Sequence, residues 1–198
     1  MTTAGLTAAP TTPRTVPLVL LIWLVAAIAA GATGVFARLA FPAPQLIILA
    51  LVAGAIVATT AISPVRAWVD ALSWRTLVGF HGIRLIGAVF VWLGARGVLA
   101  PMFARRAGWG DIVAALIALA FAAFAVAPAR ARWAYNAWNL FGLLDLTVAV
   151  STATWVVQQG LVPGVEPLFR LPLVLVPLFF VPMLAATHIV LFRRINAR

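Results

Sequence analysis

Residues 81–87, HGIRLIG, place a histidine and an arginine three residues apart near the start of a long apolar run. A charge inside hydrocarbon is tolerated when it is paired or faces a bundle interior. A second stretch, WNLFGLLDL at 138–146, offers the partner. Asn139, Gly142 and Asp145 repeat the i, i+3, i+6 spacing of His81, Arg84 and Gly87. In each set two polar side chains share a broad helical face with a small residue that allows close approach. At 1.5 Å of rise per residue, Arg84 falls roughly 7 Å and Asp145 roughly 3 Å from the bilayer midplane. An Arg84–Asp145 ion pair is therefore expected. His81, Asn139 and His188 fall about 10–12 Å from the midplane and form a second polar layer.

Four chemistries fit this set. A transport-related protein for a proton or small anionic solute would use Arg84 to hold the anion or keep Asp145 ionised, with His188 relaying protons. A haem b electron-transfer protein would use His81 and His188 as its two axial ligands and Arg84 against a propionate. A membrane-embedded enzyme could use Asp145 and His188 for acid–base work, although no H-E-x-x-H or G-x-S-x-G motif selects a substrate and no catalytic residue is assigned. An accessory or scaffold subunit would use the polar residues to fix helix packing. A separate outer pair is expected between Arg96 and Asp111, with Asp111 capping a helix that starts after RRAGWG and the pair bracing a hairpin.

The elements that must position these residues follow from composition. The 198 residues are 65% hydrophobic and 9% charged, with mean hydropathy +1.12. A soluble domain is nearer half apolar and a quarter charged, so the chain reads as an all-α, polytopic transmembrane bundle. Six runs reach the ~20 residues that a hydrocarbon core requires. They are 17–37, 43–62, 77–101, 111–128, 136–157 and 171–192. They form one domain, 17–192, between a polar leader at 1–16, expected to be disordered, and a basic tail at 193–198. The first run has only Arg14 ahead of it and is long for a secretory signal, so it reads as a retained anchor. Counting arginines outside the spans puts eight on the N-terminal side and four on the other, which predicts cytoplasmic N and C termini. The six spans show no internal repeat of the kind carriers use, and a homodimer or a partner in a membrane complex could supply a missing half.

Between the second and third spans, Val65, Trp68, Val69 and Leu72 keep helical spacing, with Arg66 and Asp70 on another side. This predicts a short interfacial helix with its apolar face in the lipid boundary. Trp23, Trp133 and Trp138 fall near span ends, where indole prefers the interface. Ala27 with Gly31, and Ala30 with Gly34, permit close packing of the first span. Pro177 and Pro182 should bend the sixth.

All fourteen basic residues are arginine, which with abundant Ala, Gly, Val and Pro points to a GC-rich bacterial genome and hence to the inner membrane. The net charge of +10 sits in short loops facing lipid headgroups, so the expected partner is the bilayer and not nucleic acid. Cysteine is absent, which excludes thiolate metal sites and disulfides, and two histidines with four carboxylates suggest no metal.

The motifs AGWGDI (107–112), WNLFGLLDL (138–146) and a proline-rich last span with a late histidine, PLVLVPLFFVPMLAATHIVLFRR, resemble a group of small, uncharacterised multi-pass bacterial membrane proteins. The resemblance covers about 77–195. It implies that Arg84, Asp111, Asn139, Asp145 and His188 occupy the group's polar motif positions, whereas His81 falls outside the motif. It implies no particular activity.

Overall fold

The computed structural model describes residues 15–124 and 127–197. All but the last two residues of the expected leader lie outside them, as does Arg198. Helices run at Thr15–Thr33 (α1), Ala43–Ala61 (α2), Ser63–Ala71 (α3), Trp74–Phe80 (α4), Gly87–Ala95 (α5), Pro101–Ala123 (α6), Arg132–Gln158 (α7) and Val181–Asn196 (α8). A 3₁₀ segment, His81–Ile86, joins α4 to α5 as one span, and a π-helical turn, Val176–Phe180, leads into α8. Among the described residues there is no strand, and six helices are long and apolar enough to cross a bilayer. The chain is a multi-pass membrane protein. Six crossings return it to the face on which it began, here called the terminal face.

Only the second span keeps its expected bounds to within one residue. The first ends at Thr33, the third runs from Trp74 to Ala95, and the fifth begins at Arg132. The fourth and sixth shift with consequences for the charged residues. The fourth begins at Pro101, ten residues before Asp111, because proline suits the first turn of a helix, where its missing N–H is no loss. Arg105 and Arg106 look like loop residues in sequence, yet they are exposed side chains on the outside of α6. Long arginine stems can lie along apolar surface while the head stays at the interface. The sixth span begins at Val176 and continues to Asn196, so Arg193 and Arg194 belong to its last turn and not to a separate tail.

The last span is the axis of the bundle. More than half of its apolar window is buried, against a third or less in every other span. It packs against α2 and α7, and α6 packs against α7 and the whole third span. α1 rests on the π-helical turn. Pro182 has no N–H to give to Leu178 O four residues back, and Trp23 Nε1 donates to that freed carbonyl at 2.8 Å. Trp23 is thus tied into the bundle and is not an interfacial anchor. Trp138 is also buried, donating to Ala114 O at 2.9 Å, whereas Trp133 is exposed at the start of α7. The small-residue stripe of α1 finds its partner within this chain, since a Cβ on Gly31 would collide with Leu171 and Val174.

The interfacial helix α3 forms, but its apolar face meets protein. Val69 is buried in a cluster with Leu77, Val190 and Leu191, and Val65, Trp68 and Leu72 pack against it. Asp70 accepts from Arg193 Nη2, and Arg194 Nη1 donates to Leu72 O at 2.7 Å, so α3 is latched to the end of α8.

The third span and α6 cross with almost no side chain between them. A Cβ on Gly108 would lie 2.7 Å from Val91 Cγ2 and 2.8 Å from Gly87 O. Gly54 of α2 faces open space. Gly108→Ala should therefore push the helices apart and lower the unfolding temperature of the purified protein, at a cost of about 1–3 kcal/mol before the gain in helix propensity. Gly54→Ala should leave it unchanged or raise it, and equal effects at both positions would refute the close crossing.

Candidate functional site

The H-x-x-R-x-x-G spacing acquires its meaning from the 3₁₀ segment. In a 3₁₀ helix residues i and i+3 eclipse, so His81 and Arg84 project on the same side. Both are buried, and Gly87 follows at the crossing with α6. On α7, Trp138, Asn139, Gly142, Asp145 and Leu146 are buried along one face at ordinary α-helical spacing. On α6, Ala107, Gly108, Asp111, Ala114, Ala115 and Ala118 form the matching buried stripe. His188 is buried on α8.

These faces converge at mid-membrane. Arg84 lies ten residues from Trp74 and eleven from Ala95. Asp111 lies ten from Pro101 and twelve from Ala123, and Asp145 thirteen from either end of its span. Arg84 Nε donates to Asp111 Oδ1 at 2.7 Å, and Arg84 Nη2 donates to Asp145 Oδ2. Arg84 Nη1 donates to Gly142 O at 3.0 Å and lies 3.3 Å from His188 Nε2. Four of the five guanidinium N–H groups are thereby used. The arginine is 1% exposed, so such complete pairing is what makes its charge tolerable.

The hydrogen bonds also assign the imidazoles. Asn139 Nδ2 donates to His188 O at 2.9 Å, which turns Asn139 Oδ1 toward His188 Nδ1 at 2.7 Å. Nδ1 therefore carries the proton, and the Nε2 lone pair accepts from Arg84. His188 is neutral. Thr187 Oγ1 donates to Leu184 O at 2.9 Å, so it accepts from His81 Nε2 at 3.2 Å. His81 Nδ1 is buried with no hydrogen-bond partner among the described residues. Room for the cluster comes from glycine. A Cβ on Gly142 would lie 2.5 Å from His188 Cε1 and 3.0 Å from Arg84 Nη1, and one on Gly110 would collide with the Asp145 carboxylate.

The structure thus gathers Arg84, Asp145, Asn139, His188 and His81, and adds Asp111. It does not form the Arg96–Asp111 pair. Asp111 is mid-helix and holds Arg84, while exposed Arg96 sits with its guanidinium 5.0 Å from the centroid of the Trp92 ring. Haem ligation by His81 and His188 does not fit either. Their ring centroids are 4.3 Å apart, in direct contact, and axial ligands must stand on opposite sides of a macrocycle. Among the described residues no group of three His, Asp or Glu side chains is placed to hold a metal ion.

Three cavities border the centre. One of about 70 Å³ lies among α2, α5, α6 and α7, and one of about 190 Å³ lies beside Arg84. They share Asp111, Leu146, Val176 and Val181, so they adjoin beside Asp111. A third, an apolar crevice of about 480 Å³ between α1–α4 and α8, reaches Thr187. Thr187 and Gln45, which lines the first cavity, were not singled out in sequence. A hydroxyl beside His188 was the available signal for Thr187, and nothing local marks Gln45.

Because one cation serves two carboxylates, charge balance predicts an asymmetry. Arg84→Gln should cost ~3–5 kcal/mol of unfolding free energy, since it strands two buried carboxylates. Adding Asp111→Asn and Asp145→Asn should recover much of that loss in chemical unfolding of the purified protein. A triple variant as unstable as Arg84→Gln would show that charge imbalance is not the cause.

No curated protein and no solved structure matches the chain. Residues 41–196 match the family described as Domain of unknown function (DUF8737). That stretch runs from just before α2 through α8 and includes every member of the buried centre, and the chain belongs to this family.

Proposed function

We propose that this protein is a transport-related component of a bacterial inner membrane whose mid-membrane centre binds and releases a proton. The single observation that carries this reading is the charge count. Two carboxylates, Asp111 and Asp145, flank one guanidinium, His188 accepts at Nε2, and among the described residues His81 Nδ1 has no acceptor for a second proton. The cluster is one positive charge short of neutral. An uncompensated charge at this depth is costly, and one proton on a carboxylate oxygen not held by Arg84 removes it. When the proton leaves, the arginine and the surrounding dipoles stabilise the remaining charge. A small anionic solute is a poorer fit, because an anion would meet two carboxylates and an arginine with four of its N–H groups already engaged. The arginine bias toward the terminal side favours termini in the cytoplasm.

One observation favours a second reading, an accessory subunit. The same hydrogen bonds tie the third, fourth, fifth and sixth spans together, which would fix helix geometry without any ion moving.

Reconstitution separates the two. Full-length protein in vesicles holding a pH-sensitive dye should speed collapse of an imposed pH gradient, and Asp111→Asn or Asp145→Asn should return it to the rate of protein-free vesicles. Wild-type protein that collapses the gradient no faster than empty vesicles would overturn proton transfer and leave the accessory reading. Flux that survives both substitutions would remove the centre from the pathway.

A further inference from the structure

The 70 Å³ cavity lies in the half of the bundle away from the terminal face. Its lining includes Gln45 near the start of α2, Thr154 near the end of α7, Phe103 near the start of α6, and Val165 in the connection between α7 and α8. All four positions belong to the opposite face, because the spans alternate in direction. The cavity's inner end is Asp111 at mid-membrane.

Two oxygens in this lining lack partners. Gln45 Oε1 is buried with no hydrogen bond among the described residues. Arg84 engages Asp111 through Oδ1, and no described group donates to Oδ2. Thr154 Oγ1 donates to Val150 O at 2.8 Å, which leaves its lone pairs free. A buried amide oxygen needs a donor, and at about 30 Å³ per molecule the cavity holds roughly two waters. Two waters in file meet the requirement, one donating to Gln45 Oε1 and the other to Asp111, and a proton can pass along them. The terminal side is different. There His81 Nδ1 is also unpartnered among the described residues, but the adjoining crevice exposes almost wholly apolar surface, its threonines included, and no carboxylate lines it.

We infer that the cavity between Gln45 and Asp111 is a hydrated proton-entry site, which connects the buried centre to water on the face opposite the termini. The site rests on the proton-binding reading for its purpose, but its hydration stands on geometry alone. Protons arrive on water, pass to Asp111 Oδ2, and the same water receives them on release. Gln45 is a positioning residue that holds the water file against Asp111.

The native chain contains no cysteine, so single-cysteine variants report accessibility without background. Ile48 lines the cavity, whereas its neighbour Leu49 is exposed on the outside of α2 at nearly the same depth. Full-length Ile48→Cys and Leu49→Cys are sealed in vesicles of known orientation and exposed to silver ion in chloride-free buffer. The remaining thiol is then read by maleimide labelling after denaturation. A thiol ionises and reacts where water reaches it, so Ile48→Cys should be silenced at least about tenfold faster than Leu49→Cys, from the opposite face only. Ala149→Cys, on the α7 wall of the same cavity, should behave like Ile48→Cys and serves if the latter fails to fold. Equal rates at the two α2 positions, or reaction from the terminal face alone, would overturn the site. In the flux assay Gln45→Leu should slow transfer severalfold and Gln45→Asn should retain most of it. Silver access without any wild-type flux would leave the hydrated cavity standing and remove proton transfer, and flux without silver access would do the reverse.

Discussion

A guanidinium at the centre of the third span is the constraint around which the rest of the bundle is arranged. Arginine keeps its charge in any protein environment and carries five donors, so its burial requires acceptors from several directions. Asp111, Asp145, Gly142 O and His188 come from three different spans to meet it. Such convergence demands helices closer than ordinary side chains permit. Gly87 and Gly108 let the third span and α6 cross almost backbone to backbone, and Gly110 and Gly142 make room for the carboxylate and imidazole themselves. The 3₁₀ winding of His81–Ile86 serves the same end by projecting His81 and Arg84 on one side.

The hydrophobic runs made the span count legible, because crossing a bilayer imposes a length and an apolarity that few other constraints imitate. The polar spacing on the third and fifth spans was equally plain, since few polar residues interrupt those runs. What could not be read was which arginines end a helix. RRAGWG looks like a connection by composition, yet Pro101 begins the helix ahead of it and the two arginines simply face outward from α6. Read as a connection, RRAGWG puts Asp111 at a helix start beside Arg96, whereas it lies at mid-helix, ten residues from Pro101. The period of small residues, Ala104, Ala107, Gly108, Asp111, Ala115 and Ala118, was the counter-signal, and it becomes visible only when Asp111 is counted with the buried face. Trp23 and Trp138 were misplaced for a related reason. An indole N–H serves an interface or a stranded carbonyl equally well, and only tertiary contact decides between them.

Burying an ion pair is weak evidence for stability, because desolvation can exceed the attraction and well-packed apolar residues often do as well. A network of one arginine and two carboxylates is harder still to justify by stability, since its charges do not cancel. A purely structural role would be met by a single Arg–Asp pair. The second carboxylate, its unpartnered oxygen and the cavity that meets it make sense together if the imbalance is the useful property. The same logic explains the neutral histidines. Held by Asn139 and Thr187 as single tautomers, they surround the arginine without adding positive charge that would satisfy both carboxylates permanently. A protonated imidazole at either position would close the charge balance of one arginine against two carboxylates. On the proton-binding reading, the hydrogen bonds that orient the imidazoles therefore also keep the two carboxylates one positive charge short, and the buried polar layer works as one unit.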